Sequence, residues 1–192
     1  LDPAEYVKRA YETMARHVFA RLARGVPLTD LCERIIAPAL QRVGDDWASG
    51  LVSIGAEHRA SAICERLIAA RTHQPQGRPR GIAVVTTPPG ERHGLPALMA
   101  TACLREDRWL VHHLAADLPV SEVTDLVKET AASLVVLSAA TTEAAQQAAE
   151  EVDQIAVMRL SSSFRPCSSS LTVLSSSFVD CSSSFAVSSS SV

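Results

Sequence analysis

Between Ile82 and Thr142 the sequence alternates short, fully apolar runs with longer amphipathic ones, and few folds satisfy that rhythm. Ile82-Ala83-Val84-Val85, Trp109-Leu110-Val111 and Leu134-Val135-Val136-Leu137 read as strands. Leu95 to Arg105 and Ser121 to Thr130 read as the helices between them. Strands joined by helices of this length are linked by right-handed crossovers, which predicts a parallel sheet covered on both faces. The expectation for residues 81–160 is therefore an α/β, doubly wound, Rossmann-like domain, with Thr142 capping an alanine-rich last helix to about Val157. Such a sheet binds ligands beyond the carboxyl ends of its strands, where strand order reverses; in a 2-1-3-4-5 order that point lies between strands one and three.

The chain ahead of the sheet is helical by pattern, and residues 1–71 are expected to form a small bundle. Asp2-Pro3-Ala4-Glu5 combines a capping acid, a proline in the first turn and a glutamate three residues on, while Gly25 and Pro27 end that helix. Thr29 is placed to cap a second segment through Leu31, Ile35, Ile36 and Leu40, which Pro38 should kink or split near Ala37. A further helix from about Ser53 to Arg71 puts Ile54, Ala60, Ile63, Cys64 and Leu67 on one face. Residues 72–80 contain no apolar side chain and carry two prolines and a glycine, so they read as a linker.

After Leu160 the composition changes, and half of the remaining thirty-two residues are serine. Ser-Ser-Ser recurs at 161, 168, 175 and 182, followed in turn by Phe164, Leu171, Phe178 and Phe185. With Cys167, Leu174 and Cys181 these residues make a formal heptad seam, but serine is a poor helix former and no charged flanks specify a partner helix. Composition favours a disordered serine-rich tail over residues 161–192; the other outcome is that these residues complete the sheet. Without that completion, strand three is an apolar edge that a second chain must cover, so a homo-oligomer is expected.

Composition narrows the function classes. The 192 residues are 47% hydrophobic with a formal charge of −3, which gives no field for gripping a phosphate backbone, so direct nucleic-acid binding is not expected. No apolar run reaches the roughly 20 residues of a membrane span. Cys32, Cys64, Cys103, Cys167 and Cys181 form no Cys-x-x-Cys pair and no signal peptide precedes them, so a cytoplasmic protein without a zinc site or disulfide framework is expected. Cys32, Cys64 and Cys103 sit in apolar helical patterns, which argues against a thiol enzyme.

Two loops carry the chemistry. Strand one runs into Thr86-Thr87-Pro88-Pro89-Gly90-Glu91-Arg92-His93-Gly94, and strand three into Ser138-Ala139-Ala140-Thr141-Thr142. The topology brings Glu91, Arg92, His93, Gly94, Ser138 and Thr141 to one crevice. A histidine with a carboxylate two residues earlier suits a metal ligand whose other ring nitrogen is held by a hydrogen bond, and equally a solvated loop histidine beside a helix-start acid. His112-His113 reads as a polar strand exit and His17 as a surface residue of the first helix.

Residues 28–142 as a whole resemble the cobalamin-binding module of methionine synthases, corrinoid methyl carriers and light-responsive regulators of the CarH type, a helical cap followed by a flavodoxin-like domain. That family carries an Asp/Glu-x-His-x-x-Gly loop whose histidine coordinates cobalt from below. Glu91-Arg92-His93 matches its first half, and Pro96 stands at the glycine position. A Ser-x-Leu serine lines the slot for the nucleotide tail; Ser138 matches it, with Ala140 in place of the leucine. Trp47, followed after nine residues by Glu57-His58, is similar to the signature that surrounds the upper, adenosyl face in CarH-type photoreceptors. Where those regulators have a histidine directly after the tryptophan, this chain has Ala48.

The resemblance implies a cobalamin-binding light sensor, not an enzyme, with no catalytic residue. His93 would ligate cobalt, Glu91 would orient it, and loss of the adenosyl group would shift the cap and change assembly or partner contacts. Adenosylcobalamin is the implied cofactor, with a bilin as a second chromophore in stand-alone relatives and an output protein as partner. The alternatives are a corrinoid methyl carrier serving a methyltransferase, and a fragment of a cobalamin-dependent transcriptional regulator whose DNA-binding domain lies outside this sequence.

Overall fold

A computed structural model describes residues 26–161, 170–175 and 187–189. The chain divides into two compact units, Leu1–Arg71 and Thr72–Val192. The helix expected over residues 2–24, with His17, lies outside the described residues.

In the first unit, α1 (Leu28–Leu31) begins directly after Pro27, and the Leu31 N–H donates to the Pro27 carbonyl at 3.0 Å. Thr29 therefore lies inside the first turn and is not its cap. The chain then widens into a π-helical turn (Cys32–Ile36), closed by the Ala37 N–H on the Cys32 carbonyl, and continues as α2 (Ala37–Ala48). Pro38 does not split the helix here. The wider turn ahead of it gives its ring room, and at the start of α2 its missing N–H interrupts no ladder. Leu28, Leu31, Cys32 and Ile36 are buried.

The third helix, α3 (Ile54–Arg71), follows a turn in which Ser53 Oγ accepts the Ala56 N–H. Its buried residues are Cys64 and Ile68, whereas Ile54 is 58% exposed. Ala60, Ile63 and Leu67 of the expected face are half-buried beside them, so the face holds along the helix except at its exposed first residue. Burial raises the Cys64 thiol pKa to about 11, reinforced by the Glu65 carboxylate, so it remains a protonated packing group. The Arg71 guanidinium donates to the Val26 carbonyl at 2.9 Å, tying the end of α3 to the chain ahead of α1.

The second unit is the sheet domain. Its elements are β1 (Ile82–Thr86), α4 (Gly94–Glu106), β2 (Leu110–His113), α5 (Val120–Thr130), β3 (Leu134–Ala139), α6 (Thr142–Ser161), β4 (Ser170–Ser175) and β5 (Val187–Ser189). Strand order is β2-β1-β3-β4-β5, with the first four parallel. β1 shows the layering: Ala83 and Val85 face the side where Ala97 of α4 packs, while Val84 faces Val123 and Val127 of α5 and Ala148 of α6. This is the helix-covered, doubly wound α/β fold that alternating runs demand.

The serine-rich segment departs from the tail expectation. It supplies β4, paired with β3 from Leu134↔Ser170 to Ala139↔Ser175. The heptad spacing loses to Leu-Thr-Val-Leu, whose β-branched residues suit the ladder beside β3. β5 runs antiparallel to β4, from Thr172↔Ser189 to Leu174↔Val187. The stretch between residues 175 and 187 is shorter than the dozen or more residues of a parallel crossover. Among the described residues, no helix is long and apolar enough to cross a membrane.

Candidate functional site

The order reversal between β2-β1 and β1-β3 places the β1–α4 and β3–α6 loops beside each other at the carboxyl edge of the sheet. The first loop starts with a tight turn in which the Glu91 N–H donates to the Pro88 carbonyl at 3.1 Å. Gly90, at φ +81°, takes the third place of that turn, where a type II turn needs a left-handed residue behind a proline. Glu91 leaves the turn pointing inward and is only 3% exposed.

Three donors converge on the Glu91 carboxylate. Oε1 accepts from the His93 backbone N–H at 2.8 Å and contacts His93 Nδ1 at 2.6 Å, while Oε2 accepts from the Ala140 N–H at 2.9 Å. Burial alone would raise the Glu91 pKa, but the His93 and Ala140 N–H groups and the imidazole outweigh it and hold the carboxyl below its ordinary range. An ionised carboxylate only accepts, so Nδ1 carries a proton and in the neutral ring the lone pair falls on Nε2. The His93 side chain is 66% exposed. A buried anion thus clamps an imidazole that faces outward, and the same anion ties the β1–α4 loop to the end of β3.

Pro96, where the resemblance has glycine, falls in the first turn of α4, where no helical N–H has an acceptor, so the Glu91–His93 pair is undisturbed. Gly94 opens α4, and its N–H donates to the Arg92 carbonyl at 3.0 Å. Arg92 is exposed beside them. Ser138, near the carboxyl end of β3, is 3% exposed and registers with Leu174 of β4. Thr141 Oγ1 accepts the Ala144 N–H at 3.1 Å, so Thr141 and not Thr142 caps α6.

The remaining candidates belong to the helical unit. Trp47, near the end of α2, is 49% exposed, with Leu51 and Ile54 also exposed in the following turn and helix. Trp47 is therefore no core aromatic. On α3, Glu57 Oε2 contacts His58 Nδ1 at 2.6 Å and Glu57 Oε1 accepts from Ser61 Oγ at 2.8 Å.

Several groups were invisible to sequence reasoning. Thr86 Oγ1 donates to the Ala115 carbonyl at 2.9 Å, and Thr87 Oγ1 donates to the Glu91 carbonyl at 2.7 Å while accepting the Asp117 N–H at 2.9 Å. Asp117 Oδ1 accepts the Gly90 N–H at 2.7 Å. His113, at the exposed end of β2 as its reading as a polar strand exit expects, pairs through Nδ1 with Thr101 Oγ1 at 2.9 Å, and partial desolvation, with the Arg105 charge, lowers its pKa. No signal in the sequence marks Ala140, since only its main chain takes part. Among the described residues, no group of three or more His, Cys, Asp or Glu could hold a bare metal ion.

Residues 4–72 match the B12 binding domain family. No curated protein sequence matches the chain. Among solved structures, the chain is similar to the monomethylamine corrinoid protein of Methanosarcina barkeri at 15% identity and a TM-score of 0.57, with 85% of this chain and 76% of that one covered. This likeness is one of fold. Similarities with lower TM-scores are to a cobalamin-binding protein of Desulfitobacterium hafniense DCB-2 (21% identity, TM-score 0.41, 90% and 80% covered) and to the methanol:cobalamin methyltransferase complex MtaBC of Methanosarcina barkeri (16% identity, TM-score 0.44, 83% and 60% covered). The match of residues 4–72 supports a cobalamin or related corrinoid as the group this chain binds.

Proposed function

We propose that this chain is a cobalamin-binding light sensor in which His93 would supply the protein's ligand to cobalt. One observation carries the corrinoid part: the Glu91 carboxylate fixes the His93 Nδ1 proton and leaves an outward Nε2 lone pair beside the β1/β3 reversal. A corrin ring brings four nitrogens to its cobalt, so the protein need add one imidazole and no cluster of ligands. The donor set present fits that group. Cobalamin, when bound, supplies a light-cleavable cobalt–carbon bond.

The chain's own residues do the rest. Glu91 keeps His93 in one tautomer and makes it a better donor. Ser138 is assigned to the nucleotide slot. Trp47 offers a flat apolar face suited to shielding an adenosyl group from water, and Glu57 offers carboxylate oxygens to ribose hydroxyls. No residue is assigned a catalytic role.

An absorption spectrum and the sedimentation of the full chain with adenosylcobalamin, recorded before and after green light, test this reading. The expected result is a bound corrinoid whose illumination changes the sedimentation of the protein relative to a dark control; no corrinoid bound by the full chain, or a bound corrinoid whose photolysis leaves sedimentation and partner contacts unchanged, overturns it. A band at longer wavelength than the corrinoid's, in protein co-produced with a bilin, tests the second chromophore.

A corrinoid methyl carrier is the second reading, favoured by the fold shared with the monomethylamine corrinoid protein. A carrier must leave its methyl group accessible. Transfer from protein-bound methylcobalamin to an acceptor in the presence of a methyltransferase, with no light-driven change in the assembly of the protein, selects it over the sensor.

A further inference from the structure

We infer that Asp117, in the β2–α5 connection, is a positioning residue for the His93 ligand; this rests on the reading of His93 as the cobalt-binding imidazole. Asp117 touches neither Glu91 nor His93 through its side chain. It acts on the loop that carries them, at three points.

Its carboxylate accepts the N–H of Gly90 at 2.7 Å, and its own N–H donates to Thr87 Oγ1 at 2.9 Å. Thr87 Oγ1 in turn donates its proton to the carbonyl of Glu91 at 2.7 Å. The Thr87 hydroxyl therefore has one role in each direction, accepting from Asp117 and donating to Glu91. Together these bonds hold the residue ahead of the tight turn, its glycine corner and its last residue. The turn otherwise holds itself by a single bond, from the Glu91 N–H to the Pro88 carbonyl. One end of the clamp on His93 is thus fixed through Ala140 of the β3–α6 loop, and the other through Asp117.

The backbone of Asp117 points the same way. It sits at φ +65°, in the left-handed region that only glycine, asparagine and aspartate visit readily. That conformation directs both its N–H and its carboxylate at the neighbouring loop. Thr87 is fully buried, so its hydroxyl has no water to replace a lost partner.

Cob(II)inamide is the probe, because it lacks the nucleotide base and any axial nitrogen must come from the protein. Its electron paramagnetic resonance spectrum reports one nitrogen by a three-line splitting. Full-chain wild type should show that splitting and His93→Ala should lose it; a wild type without it overturns the His93 reading itself. With wild type ligating, Asp117→Ala and Asp117→Gly should weaken nitrogen-ligated binding roughly tenfold or more, within the range typical of groups that orient a metal ligand. Asp117→Asn keeps an acceptor oxygen and tolerates φ above zero, so it should restore wild-type ligation. Glycine separates the cost of a positive φ from the side-chain bond, since it relieves the first and removes the carboxylate that accepts from Gly90, while the main-chain N–H to Thr87 survives in every variant. Ligation by the glycine variant equal to wild type overturns the positioning role and leaves the His93 reading standing. A second readout is the His93 imidazole nitrogen spectrum without corrinoid, where the alanine and glycine variants should show both tautomers and wild type only the Nδ1–H form; a single tautomer in all of them also overturns the inference.

Discussion

The molecule contains the same contact twice, once in each unit, and the two copies differ in what stands behind them. In the sheet domain Glu91 meets His93 Nδ1 at 2.6 Å, and in the helical unit Glu57 meets His58 Nδ1 at 2.6 Å. The imidazoles are similarly exposed, 66% and 71%, but the Glu91 side chain is 2% exposed and that of Glu57 29%. Glu91 also takes two main-chain N–H groups, one of them 49 residues away, whereas Glu57 adds only Ser61 on its own helix. A distance between two side chains therefore says little about how well one holds the other. What matters is whether the carboxylate itself has anywhere else to go.

The largest difference should appear on truncation. Glu91→Ala leaves the half-buried Ala140 and His93 N–H groups without their acceptor, at about 1–3 kcal/mol each, so a loss of roughly 2–6 kcal/mol is expected in urea unfolding. A loss below about 1 kcal/mol would show that water replaces the carboxylate and that the clamp is loose.

Burial alone does not make a carboxylate behave like Glu91, and Glu151 on α6 provides the control. It is 4% exposed, and burial pushes its pKa up to about 7. A folded-state pKa above the unfolded one means the native state holds the proton longer, so stability falls as pH rises from about 4.5 to about 7 and is level above. Glu151→Gln should remove that fall and stabilise the protein at pH 8 by roughly 1–3 kcal/mol. An unchanged unfolding midpoint at pH 8 would place the Glu151 carboxyl in contact with water.

Glu91 has the opposite sign. Its pKa lies below 4.5 in the fold, so its contribution is complete above the ordinary carboxylate pKa and is lost as pH falls through the folded value. Acid unfolding of wild type should therefore steepen as pH falls below the ordinary carboxylate range, and Glu91→Gln, which cannot titrate, should flatten that part of the curve. Parallel curves would mean that the donors around Glu91 do not discriminate between its two charge states.

How far these features could be read from the sequence depends on whether they are local. β1 and β3 were legible because Ile82-Ala83-Val84-Val85 and Leu134-Val135-Val136-Leu137 are apolar on both faces, and only a covered parallel sheet accommodates that. Glu91 beside His93 was legible as a pair two residues apart. The Ala140 N–H that completes the clamp was not, because a main-chain donor leaves no trace in residue type. Thr87 and Asp117 were missed for a related reason: they join loops 30 residues apart, through a hydroxyl and a left-handed backbone. Thr29 and Thr142 were misassigned as caps by one or two positions, the usual resolution of capping patterns. The strand Ser170–Ser175 was hidden by its serine flanks and by a heptad spacing that a strand ignores.

The smallest expected effect is the one that most sharply separates the two pairs. Glu57→Ala removes a contact between partly exposed groups on one helix turn, worth about 0.5 kcal/mol or less once salt and side-chain freedom are counted. Ser61 loses its acceptor at a site water can reach, so little is added. The consequence for the imidazole is larger than that for stability. With no carboxylate beside it, the His58 ring should populate both tautomers, and salt should have the same effect on wild type, because the Glu57–His58 pair is open to ions that a buried Glu91 does not meet. Nitrogen spectra of the two rings at low and high salt measure this directly. His93 should keep its Nδ1–H form throughout, and a His58 equally indifferent to salt would mean that Glu57 is held as firmly as Glu91 by something other than burial.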